Sequence, residues 1–282
     1  MARPKLTAEN YYSPEMNWRY LSASSFKAFK RCEAAAMAEL RGELERKETT
    51  ALLVGSYVDS YFSGELEQFK AENPQIFKKD GELKAEFQQA LTICKRLEAD
   101  ELSRMLLSGR HQVIKTGKIA GVWYKAKFDS LLTSAQVESI CKKFPEVREI
   151  VPFGGAMIVD LKCMRDFEEI WDEERFEKVS FVEYWGYDIQ GAIYQKIDKR
   201  AAPFVIVGAT KEAEPDIGAF YVPDEDLSFA LDEVEELSPR YAAIKRGEIA
   251  PIGCGKCAYC RNTKQLSGIK HYKRIKEQEE LI

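Results

Sequence analysis

Two groups of residues have types and spacings that can do chemistry. The first is Asp129 together with Asp160-Leu161-Lys162. The second is Cys254-Gly255-Lys256-Cys257-Ala258-Tyr259-Cys260, three thiols spaced Cys-x2-Cys-x2-Cys. Two carboxylates meeting at one edge of a sheet offer hard oxygen ligands, which suit Mg2+ or Mn2+. A lysine two residues beyond the second carboxylate faces the same side of a strand, because side chains alternate. Such a site can polarise a phosphate and hold a water beside an ammonium group, as phosphodiester hydrolysis requires. With 13 Asp and 26 Lys in 282 residues, about one Asp-x-Lys is expected by chance, and one occurs, so the tripeptide alone decides nothing. Its setting says more. The apolar run Ala156-Met157-Ile158-Val159 leads straight into it, and a buried strand ending in two charges is either a metal site or an ordinary strand end emerging at the surface.

Closely spaced thiolates bind metals, and the trio is compatible with zinc, with an iron–sulfur cluster or with neither. A closed site needs a fourth ligand. An odd total of seven cysteines speaks against a disulfide framework. Cys94 falls on the apolar face of a helix, and Cys141 and Cys163 have no partners by spacing, so these three read as structural. His111 and His271, the two histidines, are too few for a histidine-based centre. No Walker-type glycine loop is present.

The elements that must position these groups follow from periodicity. Residues 1–20 read as irregular chain. Ser22, Ser24 and Ser25 offer N-caps to a helix through Phe26, Phe29 and Cys32. Apolar residues at helical spacing predict further helices over Thr50 to Phe62 and about Lys84 to Leu107. From residue 111 the period shortens to that of strands, predicted at 111–115, 121–124 and 125–129. Residues 132–155, with Pro145, Pro152 and Gly154-Gly155, read as an insertion or long loop. A buried strand over 156–162, a helix from about Phe181 to Arg200, strands at 204–207 and 218–222, and an acidic helix from about Asp224 to Arg246 complete the series. This order predicts an α/β (mixed α+β) fold, a central mixed sheet flanked by helices.

Composition bounds the rest. Hydrophobic residues make up 45% of the chain, enough for a packed core. No apolar run approaches the roughly 18 residues of a membrane-spanning helix, and Met1-Ala2-Arg3-Pro4-Lys5 has no signal-peptide character, which predicts a cytoplasmic protein with no membrane segment. Net charge is −4, but from Arg240 onward ten Lys and Arg face four Glu. The basic end surrounds the cysteines, with Tyr259 and Tyr272 interleaved, and suits sequence-independent contact with DNA. Lys125 and Lys127, beside the site strand, would extend such a phosphate path.

An Asp on one strand followed by hydrophobic-hydrophobic-Asp-x-Lys on the next resembles the PD-(D/E)xK nucleases. Gln190-Gly191-Ala192-Ile193-Tyr194 gives Gln-x-x-x-Tyr, typical of the branch that holds RecB and AddB nuclease domains, CRISPR-adaptation nucleases and RecE-type phage exonucleases. At i, i+4 the two side chains share a helix face. The resemblance implies a restriction-endonuclease-like fold over residues 21–262, followed by a basic tail at 263–282. It also implies Asp129 and Asp160 as Mg2+ or Mn2+ ligands, Lys162 beside the attacking water, and Gln190 and Tyr194 positioning the strand. In this branch a Gly-x-x-x-His helix often adds a ligand; here Gly55-Ser56-Tyr57-Val58-Asp59 puts Asp59 in that place. Cys32 would join Cys254, Cys257 and Cys260 around a [4Fe–4S] cluster, though the gaps between the last cysteines are shorter than in those relatives. The implied activity is 5′→3′ resection of duplex DNA, leaving a 3′ overhang for a single-strand annealing protein, by a ring-like homo-oligomer. The alternatives are a single-strand nuclease of the CRISPR-adaptation kind and a non-catalytic DNA-binding module stapled by a four-cysteine metal site.

Overall fold

The computed structural model describes residues 5–45, 49–151, 154–266 and 268–269. Helices come first: α1 (Pro14–Arg19), α2 (Ala23–Arg31), α3 (Glu33–Arg41), α4 (Thr50–Ser63), α5 (Leu66–Glu72), α6 (Ala85–Ala99) and α7 (Glu101–Leu106). The hairpin β1 (Arg110–Ile119) and β2 (Val122–Leu132) follows, then α8 (Ser134–Lys143) and β3 (Met157–Met164). A ribbon of β4 (Ile170–Asp172) and β5 (Glu177–Val179) precedes α9 (Phe181–Tyr184) and α10 (Tyr187–Asp198). The chain closes with β6 (Phe204–Thr210), β7 (Ile217–Val222), α11 (Asp224–Arg246) and α12 (Ala258–Asn262).

The main sheet has the order β1-β2-β3-β6-β7. β3 and β6 run parallel, and the other neighbours are antiparallel. A parallel pair cannot be closed by a tight turn. The crossover from β3 to β6 is therefore long and carries α10 onto one face. Alternation along β3 then divides the core. Ile158 packs into a cluster with Phe26, Phe128 and Ile193, while Met157, Val159 and Leu161 join Val58, Ile93 and Val137 in another. Covered on both faces, β3 reads as a continuous apolar run, as central strands do. Asp160 and Lys162 follow the phase of Ile158, toward α10.

Several boundaries differ from those the sequence predicts. The segment 132–155 is not a long loop: Thr133 and Gln136 form a capping box that starts α8, whose Val137 and Ile140 are buried. The three short strands from 111 to 129 are one hairpin of two long strands, joined through Ala120 and Gly121, both at positive φ. The helix predicted to Leu107 is two, because the Asp100 side chain accepts from Ser103 N and starts a second one. The helix from 181 is broken at Gly186, which takes the left-handed conformation at φ 61°. Within the N-terminal stretch read as irregular, Ser13 caps the short helix α1. Most of the basic tail at 263–282 lies outside the described residues.

Candidate active site

Asp160 sits on the central strand and is 1% exposed. A carboxylate that deep is tolerated only when its oxygens are matched. Gln190 Nε2 donates to Asp160 Oδ1 at 2.6 Å, and the Lys162 ammonium forms an ion pair with Oδ2. Asp129 reaches the same point from β2. The β2–β3 ladder pairs Ser130 with Val159, Leu131 with Ile158 and Leu132 with Met157, and stops there. Asp129 and Asp160 thus stand where the two strands fork. Past the fork, Asp129 Oδ2 accepts from the backbone N–H of Leu161 at 2.9 Å, taking over a donor the ladder has released.

A second interruption aims Asp129. The β1–β2 register pairs His111 with Ser130 and Val113 with Phe128, but the intervening residues, Gln112 and Asp129, do not pair. Gln112 adopts φ 50°, a left-handed conformation costly for a residue with a Cβ. Its amide Nε2 donates to both oxygens of Asp59 on α4, at 3.0 and 2.9 Å. Sequence reasoning missed Gln112: a lone Gln in a strand belongs to no motif, and its positive φ leaves no trace in residue type.

Asp59, Asp129, Asp160, Lys162, Gln190 and Tyr194 all line one cavity of about 210 Å³. The structure therefore brings together every carboxylate, lysine, glutamine and tyrosine that the sequence singled out for the site. Tyr194 donates its hydroxyl to Lys127 O at 3.2 Å, and its ring packs 4.8 Å from that of Phe128. Lys27, Lys125 and Lys127 add positive charge to the walls, Lys125 beside the ring of Tyr11 and Lys127 beside those of Tyr11 and Tyr12. Lys27 carries no sequence signal of its own; α2 brings it over the cavity. His111 is peripheral, its Nδ1 lying 3.1 Å from Asp129 O.

The cavity's electrostatics favour a cation. Burial, then the charges of Asp160 and Asp59, hold the Asp129 carboxyl well above the usual range. Burial likewise raises Asp59, against the pull of Lys127 and Lys162. Burial acts to lower Lys162, but attraction to Asp160 and Asp129 outweighs it and the net direction is up. Repulsion among clustered carboxylates is relieved by a divalent cation, and an all-oxygen donor set suits Mg2+ or Mn2+. The residues fit such an ion: Asp59, Asp129 and Asp160 present their carboxylates to one cavity.

The sulfurs of Cys32, Cys254, Cys257 and Cys260 all lie within 4.8 Å of one another. Cys32 sits at the junction of α2 and α3, where its Sγ accepts from Ala35 N at 3.5 Å and from Cys254 N at 3.4 Å. Cys257 N points at Cys254 Sγ (3.3 Å) and Cys260 N at Cys257 Sγ (3.5 Å). Burial acts to raise the Cys254 thiol, but N–H donors from Cys257 and Lys256 bring it down to about 6, favouring thiolate. The Cys32–Cys260 and Cys32–Cys257 sulfur separations are 3.6 and 3.8 Å. One tetrahedral ion with ~2.3 Å metal–sulfur bonds has sulfur–sulfur edges of ~3.8 Å. Around this knot, Arg240 forks onto both oxygens of Glu33 at 2.6 and 2.8 Å, and Glu33 also accepts from Ile252 N. Cys94, Cys141 and Cys163 stand apart from the knot, Cys94 and Cys141 being buried.

A mixed sheet with helices on both faces, forked to present Asp129, Asp160 and Lys162, defines a restriction-endonuclease-like protein of the PD-(D/E)xK nuclease superfamily. Within it, the chain belongs to the family of the PDDEXK-like domain of unknown function (DUF3799), whose profile matches residues 22–138 and 153–263. The gap in that match takes in the second half of α8 and the chain that follows it. A crystal structure described as a "putative exonuclease" from Eubacterium rectale is 41% identical in sequence. It superposes with a TM-score of 0.83, and the match covers 98% of this chain and 100% of that one. No curated protein matches the chain. Among the described residues, no helix is long and apolar enough to cross a membrane.

Proposed function

We propose that the protein is a metal-dependent DNA nuclease, an exodeoxyribonuclease acting on linear duplex DNA. The observation that carries this reading is the meeting of Asp129, Asp160 and Lys162 at the β2–β3 fork, inside a cavity whose walls also carry Lys27, Lys125 and Lys127. Membership of the PDDEXK-like family and the likeness to a protein described as an exonuclease support it. Asp129 and Asp160, with Asp59, would hold Mg2+ or Mn2+, which when bound polarises the phosphate and acidifies a water. Lys162 donates hydrogen bonds to the water and to the phosphate oxygen, orienting one toward the other. Gln190 fixes Asp160 through Oδ1, leaving the other carboxylate oxygen to face Lys162 and the cavity. Tyr194 braces the β2 backbone at Lys127 behind the site. Lys27 and Lys127 supply strand-independent phosphate contacts.

The finer reading is 5′→3′ resection that leaves a 3′ strand for an annealing protein, by a ring-like homo-oligomer; it rests on the resemblance to RecE-type exonucleases. The resemblance also implied a [4Fe–4S] cluster at the four cysteines. Their sulfur separations support a single tetrahedral ion such as Zn2+ instead, because a four-iron body between the cysteines would hold the sulfurs farther apart. In either form the metal ties Cys32 to the C-terminal trio and contributes folding free energy.

The test is digestion of end-labelled linear duplex and single-stranded DNA with Mg2+ or Mn2+, by the wild type and by Lys162→Ala and Asp160→Asn. Metal-dependent product from the wild type and a loss of about 10²–10⁴-fold in both variants is expected. Equal product from Lys162→Ala and wild type overturns the assignment. The position of the label that is released first reads the polarity.

A further inference from the structure

Beside the carboxylate cavity lies a larger one, of about 310 Å³, and the two share the walls Tyr11, Tyr12, Ser22, Ser24 and Lys125. It contains two ammonium groups drawn out of water. Lys125, on β2, is 2% exposed; it donates to Tyr11 O and, at 2.7 Å, to Asn17 Oδ1. Lys245, near the end of α11 and half-buried, donates to Asn17 O and Tyr20 O, both at 2.8 Å. An ammonium has three donors, so these bonds leave one on each lysine. Neither lysine forms an ion pair with a carboxylate among the described residues. The one carboxylate lining the cavity, Glu39, is exposed and does not pair with them.

Two like charges withdrawn from solvent without a counterion are costly, and an anion placed between them removes that cost. Burial lowers both lysines, Lys125 to about 8 and Lys245 to about 7, with Lys125 adding repulsion to Lys245. Ser22 and Ser24, whose hydroxyls lie 3.0 Å apart at the entry to α2, stand on the wall between the cavities. We propose that this second cavity is a phosphate-binding subsite, in which Lys125 and Lys245 hold a phosphate of the nucleic-acid strand while a neighbouring phosphate lies at the carboxylates. The proposal rests on the nuclease reading for the origin of the phosphate, but not for its binding. A terminal phosphate and an internal diester share the chemistry, and the two make different predictions.

The test uses the full chain, inorganic phosphate as probe, and duplexes carrying a 5′-phosphate, a 5′-hydroxyl or a 3′-phosphate. Phosphate is expected to raise the thermal midpoint of the wild type above that in chloride of equal ionic strength. Lys245→Met should weaken phosphate binding at least about tenfold, the loss of one charge-assisted contact, and Lys245→Arg should restore it. If KM for one phosphorylated end is lower than for the hydroxyl end, and Lys245→Met abolishes the difference with kcat little changed, the source is the terminal phosphate. If Lys245→Met raises KM equally for every end, the source is an internal diester. No stabilisation of the wild type by phosphate overturns the subsite, as does a folded Lys245→Met that binds phosphate like the wild type. Should Lys245→Met fail to fold, the wild-type phosphate titration and the Lys245→Arg kinetics still decide. Absence of any nuclease activity alongside Lys245-dependent phosphate binding would refute the nuclease reading and leave the subsite standing.

Discussion

Gln112 joins two of the three carboxylates of the cavity without being an acid itself. Its side chain holds both oxygens of Asp59, and its left-handed backbone is the break in the hairpin register opposite Asp129. One residue therefore sets the orientation of a helix-borne carboxylate and of a strand-borne one. Left-handed backbone at a residue other than glycine concentrates at functional sites, where the surroundings over-determine it.

Replacing Gln112 by Gly separates its two tasks. Glycine adopts φ 50° without a Cβ penalty, which offsets part of the cost of the lost hydrogen bonds to Asp59, so the fold should hold within about 2 kcal/mol. Asp59 loses its donor, and a fall of about 10–100-fold in metal-dependent activity, with a weaker apparent metal affinity, is expected. Denaturant melts paired with Mn2+ titrations of activity measure both. Wild-type metal dependence in Gln112→Gly would show that Asp59 needs no positioning.

Gly191 lies between Gln190 and Ala192 on α10, and a Cβ there would fall 2.4 Å from Phe204 Cδ1 and 2.8 Å from Leu227 Cδ2. Those atoms belong to a packed core and cannot both retreat. Gly191→Ala should cost about 1–3 kcal/mol by overpacking, read as a lower urea midpoint at unchanged m. Because α10 carries Gln190, activity should fall as the helix is pushed off the sheet. An unchanged midpoint would mean that α10 has room to move.

The cysteine knot should be a stability element. Cys257→Ser, or removal of metal by a strong chelator, should lower the thermal midpoint and expose the segment after Arg246 to protease. Elemental analysis of the purified protein should give about one zinc per chain and no colour. A brown protein with stoichiometric iron and sulfide would establish the cluster instead.

The lysine pair predicts a pH dependence. Both folded-state values, about 8 for Lys125 and about 7 for Lys245, lie below the unfolded value near 10.4. The unfolded chain thus binds more protons than the folded one between about 7 and 10.4. Across that window the pair's penalty shrinks as pH rises, so its contribution to stability increases. Lys245→Met should flatten this component, seen as a smaller rise in the variant's stability than in the wild type's over the same window. Phosphate should stabilise the wild type more at about pH 6.5 than at about pH 9.5, since the lysines are charged only at the lower value. The same difference at both pH values would place the lysines in ordinary surroundings.

Motif spacing made part of the site legible. Asp160 and Lys162 share a strand face at i, i+2, and Gln190 and Tyr194 share a helix face at i, i+4, so period alone puts each pair on one side of its element. Asp129 was legible as a carboxylate ending a predicted strand, but Asp59 and Cys32 needed the resemblance, since nothing local ties them to partners 101 and 222 residues away in sequence. The helix α8 was hidden by the prolines and glycines around it, although the Thr133–Gln136 capping box was there to be read. Gln112 and Lys245 were illegible in principle. The role of Gln112 comes from a backbone conformation, and that of Lys245 from the burial of its ammonium against α1.

Sequence by itself determined the sheet-and-helix composition, the carboxylate–lysine motif and the thiol trio, because these depend on periodicity and short spacing. Tertiary structure decided which carboxylates meet, how closely the sulfurs close, and that two lysines from distant elements share one cavity. Those outcomes depend on where strands fork and which charges lose their water, and both are set by packing across the whole chain.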